Sequence, residues 1–145
     1  VSMEEVGERG VAVAVRTFQP KLTFMFEGCP ADDVFLPSDD IQAALYKGPI
    51  FRYFDCCMIT NPRYQRYVFA TAREHSLRVQ TSMCEGGSAD GESAHMLDVP
   101  SVVVGVPCRY VYAGCAICAL DDIEEVAKVC VAVAESLTLE EAECF

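Results

Sequence analysis

The sequence predicts an α/β fold: a three-layer sandwich in which helices cover both faces of a mostly parallel, mixed sheet. Short runs of β-branched and aromatic residues alternate with longer segments whose apolar residues recur at helical spacing. The clearest run, SVVVGVP at 101–107, is apolar almost throughout, which is typical of a strand buried on both faces. With 145 residues the chain has the size of one domain, so we expect a single domain over 1–145.

The first part of the chain is predicted to supply two strands and a loop. KLTFMFEG (21–28) is typical of a buried strand, and AALYKGPIFRYFD (43–55) of strand material interrupted at Gly48-Pro49. Between them, CPADDVFLPSDD (29–40) has no period and is rich in proline and aspartate, which indicates a loop. The preceding segment GVAVAVRTF (10–18) is ambiguous, because its composition favours a strand whereas its Gly10 and small residues also fit the start of a helix.

The second part is predicted to supply two long helices. Asn61 is a good N-cap and Pro62 occupies the first turn, so we expect a helix at about 61–76. LRVQTSM (77–83) is a predicted strand, and the glycine- and serine-rich segment 84–98 a loop that leads into a short helix. Asp121 and Asp122 open a final helix at about 121–137, whose apolar residues form one face.

Net charge and hydropathy exclude several classes of protein. A net charge of −11 argues against nucleic-acid backbones and anionic membranes as partners, since both require a basic surface. No apolar run approaches the roughly 20 residues that span a bilayer. No basic segment precedes an early apolar one, so we expect no secretory signal and a cytoplasmic location. The chain has no starting Met, which is consistent with an upstream part that has been lost or lies elsewhere.

Nine cysteines at irregular spacing do not form a recognisable disulfide framework. Cys115-Ala-Ile-Cys118 matches Cys-x-x-Cys, but a zinc site would need a second such pair, and none exists in the sequence. A redox site would need the N-terminus of a helix after a strand. We therefore expect reduced, mostly buried thiols that act as small apolar side chains.

An acidic pair, Glu4-Glu5, is followed at once by a glycine turn. Two adjacent carboxylates repel each other, so a metal ion or a basic side chain is expected beside them. The alternative is an acidic turn that caps the helix after Gly7, where acids favour the helix dipole.

Six blocks of the sequence form an ordered set: EEVGERG (4–10), FEGCPADD (26–33), KGPIFRYFD (47–55), MITNPR (58–63), GGSADGESAH (86–95) and VPSVVVGVPCRYVY (99–112). In the same order, they resemble blocks of the tetrahedral aminopeptidases, family forty-two of the metallopeptidases. These di-metal exopeptidases include glutamyl and deblocking aminopeptidases. The resemblance covers essentially the whole chain and corresponds to the C-terminal half of a zinc-exopeptidase-like catalytic domain.

The resemblance implies peptide substrates and divalent metal, zinc or cobalt. It makes Glu4 the general base that activates a metal-bound water, Glu5 a metal ligand, and Glu27 the next ligand at the C-terminal end of a strand. We also expect Glu4, Glu5, Glu27 and residue 112 to converge on one side of the sheet.

Three features depart from the family pattern. The family's upstream His-x-Asp and Asp-Asp-Arg blocks, which carry a terminal ligand and the bridging carboxylate, are absent from this sequence. The inserted dimerisation domain is absent as well. The last histidine ligand should fall at residue 112, where Tyr112 stands, and a neutral phenol is a poor substitute for imidazole. We therefore expect that this chain alone binds metal poorly.

Other candidate residues have a structural alternative. Arg109 is expected to anchor a substrate carboxylate or to pack structurally, and His95 to touch substrate or to be a hydrogen-bonded histidine at the edge of the core. Asp90 is expected to hold the glycine loop or, preferably, to cap the short helix. For Asp32-Asp33 an Asx turn is preferred to ligation, and Glu27 has the alternative of a solvated strand end.

Three functions remain open on the sequence alone. The chain is a metalloaminopeptidase fragment or relic that is inactive in this form, one half of a split enzyme completed by a partner chain, or a non-catalytic assembly subunit. The missing upstream strands predict exposed apolar surface and a bare sheet edge, hence a homo-oligomer or a partner chain. We see no carboxylate pair arranged for the glycoside chemistry that the family has also been credited with.

Overall fold

The computed structural model describes residues 3–145 and contains helices and strands in alternation. A short 3-10 helix, Glu4–Val6, precedes the elements that we number in chain order. These are α1 (Arg9–Phe18), β1 (Thr23–Pro30), β2 (Ile50–Phe54), α2 (Pro62–Glu74), β3 (Gln80–Met83), α3 (Gly91–His95), β4 (Ser101–Arg109), β5 (Ile117–Cys118), α4 (Leu120–Ser136) and α5 (Leu139–Ala142).

The sheet is mixed, and its strand order is β1-β4-β2-β3, with β5 paired to β4. β1 is parallel to β4, and β2 is parallel to β3. The two parallel pairs meet antiparallel, because β2 and β4 run in opposite directions, and β5 is antiparallel to β4. The predicted α/β class is therefore confirmed, with equal numbers of parallel and antiparallel pairings.

Helices cover both faces of the sheet, as predicted. On one face α2 and α4 pack on a core that includes Val102 and Val104 of β4. On the other face Val103 contacts Met58 and Ala89, and α1 packs against α3. Consecutive residues of a strand point to opposite faces. The three valines, all with no exposed surface, therefore confirm a strand buried on both sides.

The two long helices lie where the sequence predicts them. The side chain of Asn61 caps α2 by accepting hydrogen bonds from the backbone N–H groups of Arg63 (3.0 Å) and Tyr64 (3.1 Å). α4 runs from Leu120 to Ser136. No helix among residues 3–145 is both long and apolar enough to cross a membrane.

One ambiguous segment is settled and another differs from its sequence-based assignment. GVAVAVRTF, which fitted either a strand or the start of a helix, lies in α1. Valine costs less than ~1 kcal/mol in a helix relative to alanine, and the packing of α1 against α3 outweighs that cost. Residues 43–49 are not strand, because Gly48 has a left-handed φ of 87° and the buried Asp122 accepts hydrogen bonds from the N–H groups of Tyr46 (2.7 Å) and Gly48 (2.9 Å).

The two edges of the sheet are treated differently. At β3, Gln42 donates to the carbonyl of Met83 (3.4 Å) and accepts from its N–H (2.8 Å), so a side-chain amide covers that edge. Among residues 3–145, β1 pairs only with β4. The outer edge of β1 therefore offers unpaired backbone groups, next to the exposed side chain of Phe26.

The cysteines are not mostly buried, contrary to the sequence-based expectation. Cys29 alone among the nine is buried; four are exposed and four are half-buried, and all are free thiols. The reason is their position, since most lie in loops and at the ends of elements. Most of these thiols are therefore accessible to reagents in solution, and their chemical reactivity matters as well as their packing.

Gly105 in β4 is required for packing against β1. A β-carbon added there would overlap the Sγ and Cβ atoms of Cys29. We expect Gly105→Ala to lower the free energy of unfolding by about 1–2 kcal/mol, because overpacking forces the strands apart. Urea denaturation checks this, with Gly114→Ala as the control, since a β-carbon at Gly114 would meet no neighbour within 4 Å. Equal effects of the two changes would contradict the prediction.

Candidate active site

An acidic cleft of about 400 Å³ lies at one end of the sheet. Four chain segments that are distant in sequence meet there: the 3-10 helix, the second half of β1, the loop that precedes α3, and the loop that follows β4. Its lining residues are Glu4, Glu5, Phe26, Glu27, Gly28, Ser88, Asp90, Val111 and Tyr112. The predicted convergence of Glu4, Glu5, Glu27 and Tyr112 on one side of the sheet is therefore observed.

The acidic pair lies in the 3-10 helix, which Gly7 ends with a left-handed φ of 96°. Burial raises the pKa of Glu4, and the neighbouring carboxylates of Glu5 and Asp90 raise it further. A carboxylate with a raised pKa is a better proton acceptor, which suits a general base. Glu4 and Glu5 therefore lie at the mouth of the cleft and do not cap α1. The helix begins only at Arg9, with Glu8 at its N-cap position, and has no acidic residue in its first turn.

Glu27 is paired with a buried arginine. It lies within β1, three residues before the strand ends at Pro30, and its carboxylate contacts the Nη2 of Arg52. Only 5% of the Arg52 side chain and 20% of the Glu27 side chain are exposed. Burial raises the pKa of Glu27 to about 7, although Arg52 and a hydrogen bond from Cys29 act in the opposite direction. The positively charged partner expected beside the acidic residues is therefore Arg52 in the case of Glu27.

Asp55 joins this arginine to the glycine loop. Its Oδ2 accepts hydrogen bonds from the Nη1 of Arg52 (3.2 Å) and the N–H of Ala89 (3.1 Å). Its Oδ1 accepts from the N–H groups of Cys57 (2.9 Å) and Met58 (3.0 Å), and the side chain has no exposed surface. The chain of contacts therefore runs from the loop before α3 through Asp55 and Arg52 to Glu27.

Sequence reasoning missed Arg52 and Asp55. The available signal was the segment FRYFD (51–55), in which two charged residues stand among aromatic ones. Charged side chains in such a position are almost always paired when buried.

Asp90 does not cap the short helix by its side chain, contrary to the preferred interpretation. It occupies the N-cap position of α3, yet its carboxylate accepts no capping hydrogen bond. It lines the acidic cleft instead, and its Oδ1 is buried without a hydrogen-bond partner in the described part of the chain. The physical reason is that its backbone is already helical, which turns the side chain away from the free N–H groups.

His95 and Arg109 do not line the acidic cleft. His95 ends α3, is exposed, and lines a separate cavity of about 470 Å³ together with Thr60 and Ser101. Arg109 binds Asp33 in a bidentate manner, donating from Nε to Oδ1 (2.8 Å) and from Nη2 to Oδ2 (2.7 Å). The guanidinium of Arg109 therefore binds a loop of its own chain, which agrees with the structural alternative for this residue.

The adjacent Asp32 fixes the same loop. Its Oδ1 accepts hydrogen bonds from the N–H groups of Gln42 (3.2 Å) and Ala43 (3.1 Å), ten and eleven residues further along the chain. This contact is longer in range than the Asx turn that the sequence suggested. It closes the loop between β1 and β2.

The Asp33–Arg109 pair predicts a pH-dependent contribution to stability. Hydrogen bonds from Arg109 hold the pKa of Asp33 below its ordinary value of 3.8. A depressed folded-state pKa contributes stability that is present above the unfolded pKa and is lost as pH falls through the folded one. We expect Arg109→Gln to be less stable than wild type near neutral pH and equally stable at strongly acidic pH, as measured by thermal unfolding. A difference that persists in acid would contradict this.

The residues of the cleft do not by themselves fit a divalent metal. Among residues 3–145, no group of three or more His, Cys, Asp or Glu side chains is arranged to hold a metal ion. Glu5 is exposed, Glu27 is engaged by Arg52, and Tyr112 offers only a phenol at a position that is largely exposed. Zinc sites need three or four ligands in close geometry.

Comparison with known proteins places the chain in a family. The family model for M42 glutamyl aminopeptidase matches residues 1–129. The glutamyl aminopeptidase of Lactococcus lactis is 33% identical over 139 residues, which are 94% of this chain and 38% of that protein. A putative aminopeptidase of Acetivibrio thermocellus is 25% identical over 130 residues, 88% of this chain and 39% of that protein.

Solved structures agree with the sequence matches. A TET aminopeptidase from a marine sediment Thaumarchaeota archaeon superposes with a TM-score of 0.91 at 28% identity, covering 97% of this chain and 40% of that one. The TET1 peptidase of Pyrococcus horikoshii, which assembles into a tetrahedron or a large octahedral shell, has a TM-score of 0.76 at 24% identity, over 92% of this chain and 39% of its own. The chain thus spans about two fifths of the length of these relatives. It belongs to the M42 glutamyl aminopeptidase family.

Proposed function

We propose that this chain is the part of a metal-dependent aminopeptidase that carries the general base and two metal ligands, and that it does not hydrolyse peptides on its own. In this proposal Glu4 is the base, and Glu5 and Glu27 are the ligands. Tyr112 stands where a histidine ligand is expected. Family membership and the shared cleft support these roles.

One observation carries the proposed inactivity: no three-ligand group exists in the described part of the chain. Two carboxylates, one of them paired with Arg52, compete poorly with water for a zinc or cobalt ion. When bound, a pair of such ions lowers the pKa of a water and polarises the scissile carbonyl. Without them, Glu4 has no acidified water to deprotonate.

The second candidate is a split enzyme or assembly subunit that is completed by further protein. Within residues 3–145 the outer edge of β1 is unpaired, and the side chains of Phe18 (79%) and Phe26 (53%) are exposed. Both observations support association, because bare strand edges and apolar patches favour it. The assembly of the Pyrococcus horikoshii relative supports a homo-oligomer. Sedimentation at high micromolar concentration tests the homo-oligomer, and a monodisperse monomer would contradict it.

Cleavage of aminoacyl-anilide substrates tests the proposed function. The full chain is assayed with added cobalt or zinc, alongside Glu4→Gln. We expect both proteins to match the blank that contains metal alone. Robust turnover by the wild type that Glu4→Gln abolishes would overturn the proposed inactivity. Turnover that appears only with a second chain carrying His-x-Asp and Asp-Asp-Arg blocks would support the split enzyme.

A further inference from the structure

Two cysteines face each other across the β4–β5 hairpin. Cys108 of β4 is the direct register partner of Cys118 of β5, and Arg109 is the partner of Ile117. The strands are antiparallel, so residues that pair directly have their side chains on the same side of the sheet. The two thiols therefore approach each other across a ladder that the fold already makes.

The spacing of such a pair fits a disulfide. Directly opposed residues of an antiparallel ladder have Cα atoms about 4.5 or 5.5 Å apart, depending on whether the pair is hydrogen-bonded. Disulfides accept Cα separations of about 4.4–6.8 Å. Either kind of pair satisfies this range, so the bridge needs no backbone rearrangement.

The two thiols differ in accessibility. Cys118 is exposed and meets solutes directly, whereas Cys108 is half-buried. Burial, and then the neighbouring Cys118, raises the pKa of the Cys108 thiol. An oxidant therefore reacts first with Cys118, and Cys108 is the resolving thiol.

The hairpin between the cysteines carries a residue of the acidic cleft. Tyr112 lines the cleft with 83% of its surface exposed, and both Tyr110 and Tyr112 have left-handed φ values, 61° and 70°. Such a backbone is kept only where its surroundings hold it in place. A cross-link at the base of the hairpin would hold it there covalently.

We propose that Cys108 and Cys118 are a reversible redox modification site, whose disulfide fastens the hairpin that carries Tyr112 beside the acidic cleft. With glutathione disulfide as the oxidant, the Cys118 thiolate attacks one sulfur and releases a glutathione thiolate. The Cys108 thiolate then attacks the Cys118 sulfur of the mixed disulfide and releases the second. Two protein thiols are oxidised, one glutathione disulfide is reduced to two glutathiones, and the two protons that the protein thiols release end, through solvent, on the two glutathione thiolates. This site does not depend on the proposed aminopeptidase role.

The test is to treat the native full chain with glutathione disulfide, quench it in acid, alkylate the remaining thiols and map the peptides by mass spectrometry. We expect a cross-linked peptide that joins Cys108 to Cys118, and full reversal by reduced glutathione. Hydrogen exchange of the amides between the two cysteines should slow in the oxidised form.

Two single substitutions distinguish the roles of the thiols. In Cys108→Ser, Cys118 should retain one glutathione as a stable mixed disulfide, because the resolving thiol is gone. The exposed Cys144 lies near the C-terminus, outside the hairpin, so Cys144→Ser should leave the bridge intact. Stable glutathionylation of Cys118 in the wild type, or a bridge from Cys118 to Cys115 instead, would overturn the proposal. So would a bridge confined to Cys56 and Cys57, whose sulfurs lie 3.4 Å apart.

Discussion

Replacing Arg52 by leucine is expected to lower the free energy of unfolding by about 3–5 kcal/mol, because it leaves two buried carboxylates without their cation. Glu27 and Asp55 both contact the guanidinium, and the Asp55 side chain has no exposed surface. Breaking a buried ion pair costs far more than the pair itself contributes, since the remaining charge has lost both water and partner. The loss should extend to the glycine loop, whose Ala89 N–H is also bound to Asp55.

Urea denaturation at a pH above the Glu27 pKa of about 7 measures this effect. The matched control is Lys128→Gln, which breaks the pair between Lys128 and Glu124 on the surface of α4, where the side chains are 59% and 70% exposed. Exposed pairs at this spacing are worth about 0.3–0.5 kcal/mol. The double variant Glu27→Gln with Arg52→Leu should recover part of the loss. Similar costs for Arg52→Leu and Lys128→Gln would show that the network is not energetically important.

Local signals predict the elements that they themselves determine. The cap at Asn61 and the proline after it define the start of α2, because both act within one helical turn. The apolar run of β4 predicts burial on both faces, because few other environments accept three consecutive valines. These elements needed no knowledge of the rest of the chain.

Elements that depend on distant residues were not predictable in the same way. The turn at 46–48 is held by Asp122, which lies 74 residues beyond Gly48 in the chain. From the sequence, Asp122 indicated only the first turn of α4. α1 packs against α3, and the composition of GVAVAVRTF alone fits both a helix and a strand.

In the candidate site, too, some residues were predictable from the sequence and others were not. The block order identified Glu4, Glu5, Glu27 and Tyr112, and the structure brings all of these residues to one cleft. The roles of these residues remain predictions. Arg52 was not identified, because a resemblance to known blocks names the residues of a motif but does not reveal the counter-ion that balances them.

Substituting Tyr112 by histidine is expected to raise the affinity for zinc by about 100-fold, with no matching gain in peptide hydrolysis. Imidazole is a strong ligand for zinc and a neutral phenol is not, and residue 112 shares the cleft with Glu5 and Glu27. Even indirect partners of a metal ligand change affinity by about 10–100-fold, so a direct ligand should reach the upper end of that range. The bridging carboxylate would still be missing, so the assembly of a metal pair would remain incomplete.

Isothermal titration with zinc compares Tyr112→His with Tyr112→Phe, which removes the hydroxyl without adding a ligand. The exposed thiols are common to both variants, so any zinc that they bind cancels and the difference between the titrations reports residue 112 alone. A further variant, Tyr112→His with Glu27→Gln, should lose most of the gain, since Glu27 must leave Arg52 to serve the metal. Equal zinc affinity of the histidine and phenylalanine variants would refute the carry-over of the ligand position. A rate gain as large as the affinity gain would instead show that two carboxylates and one imidazole suffice for catalysis, and that the proposed inactivity rests on Tyr112 alone.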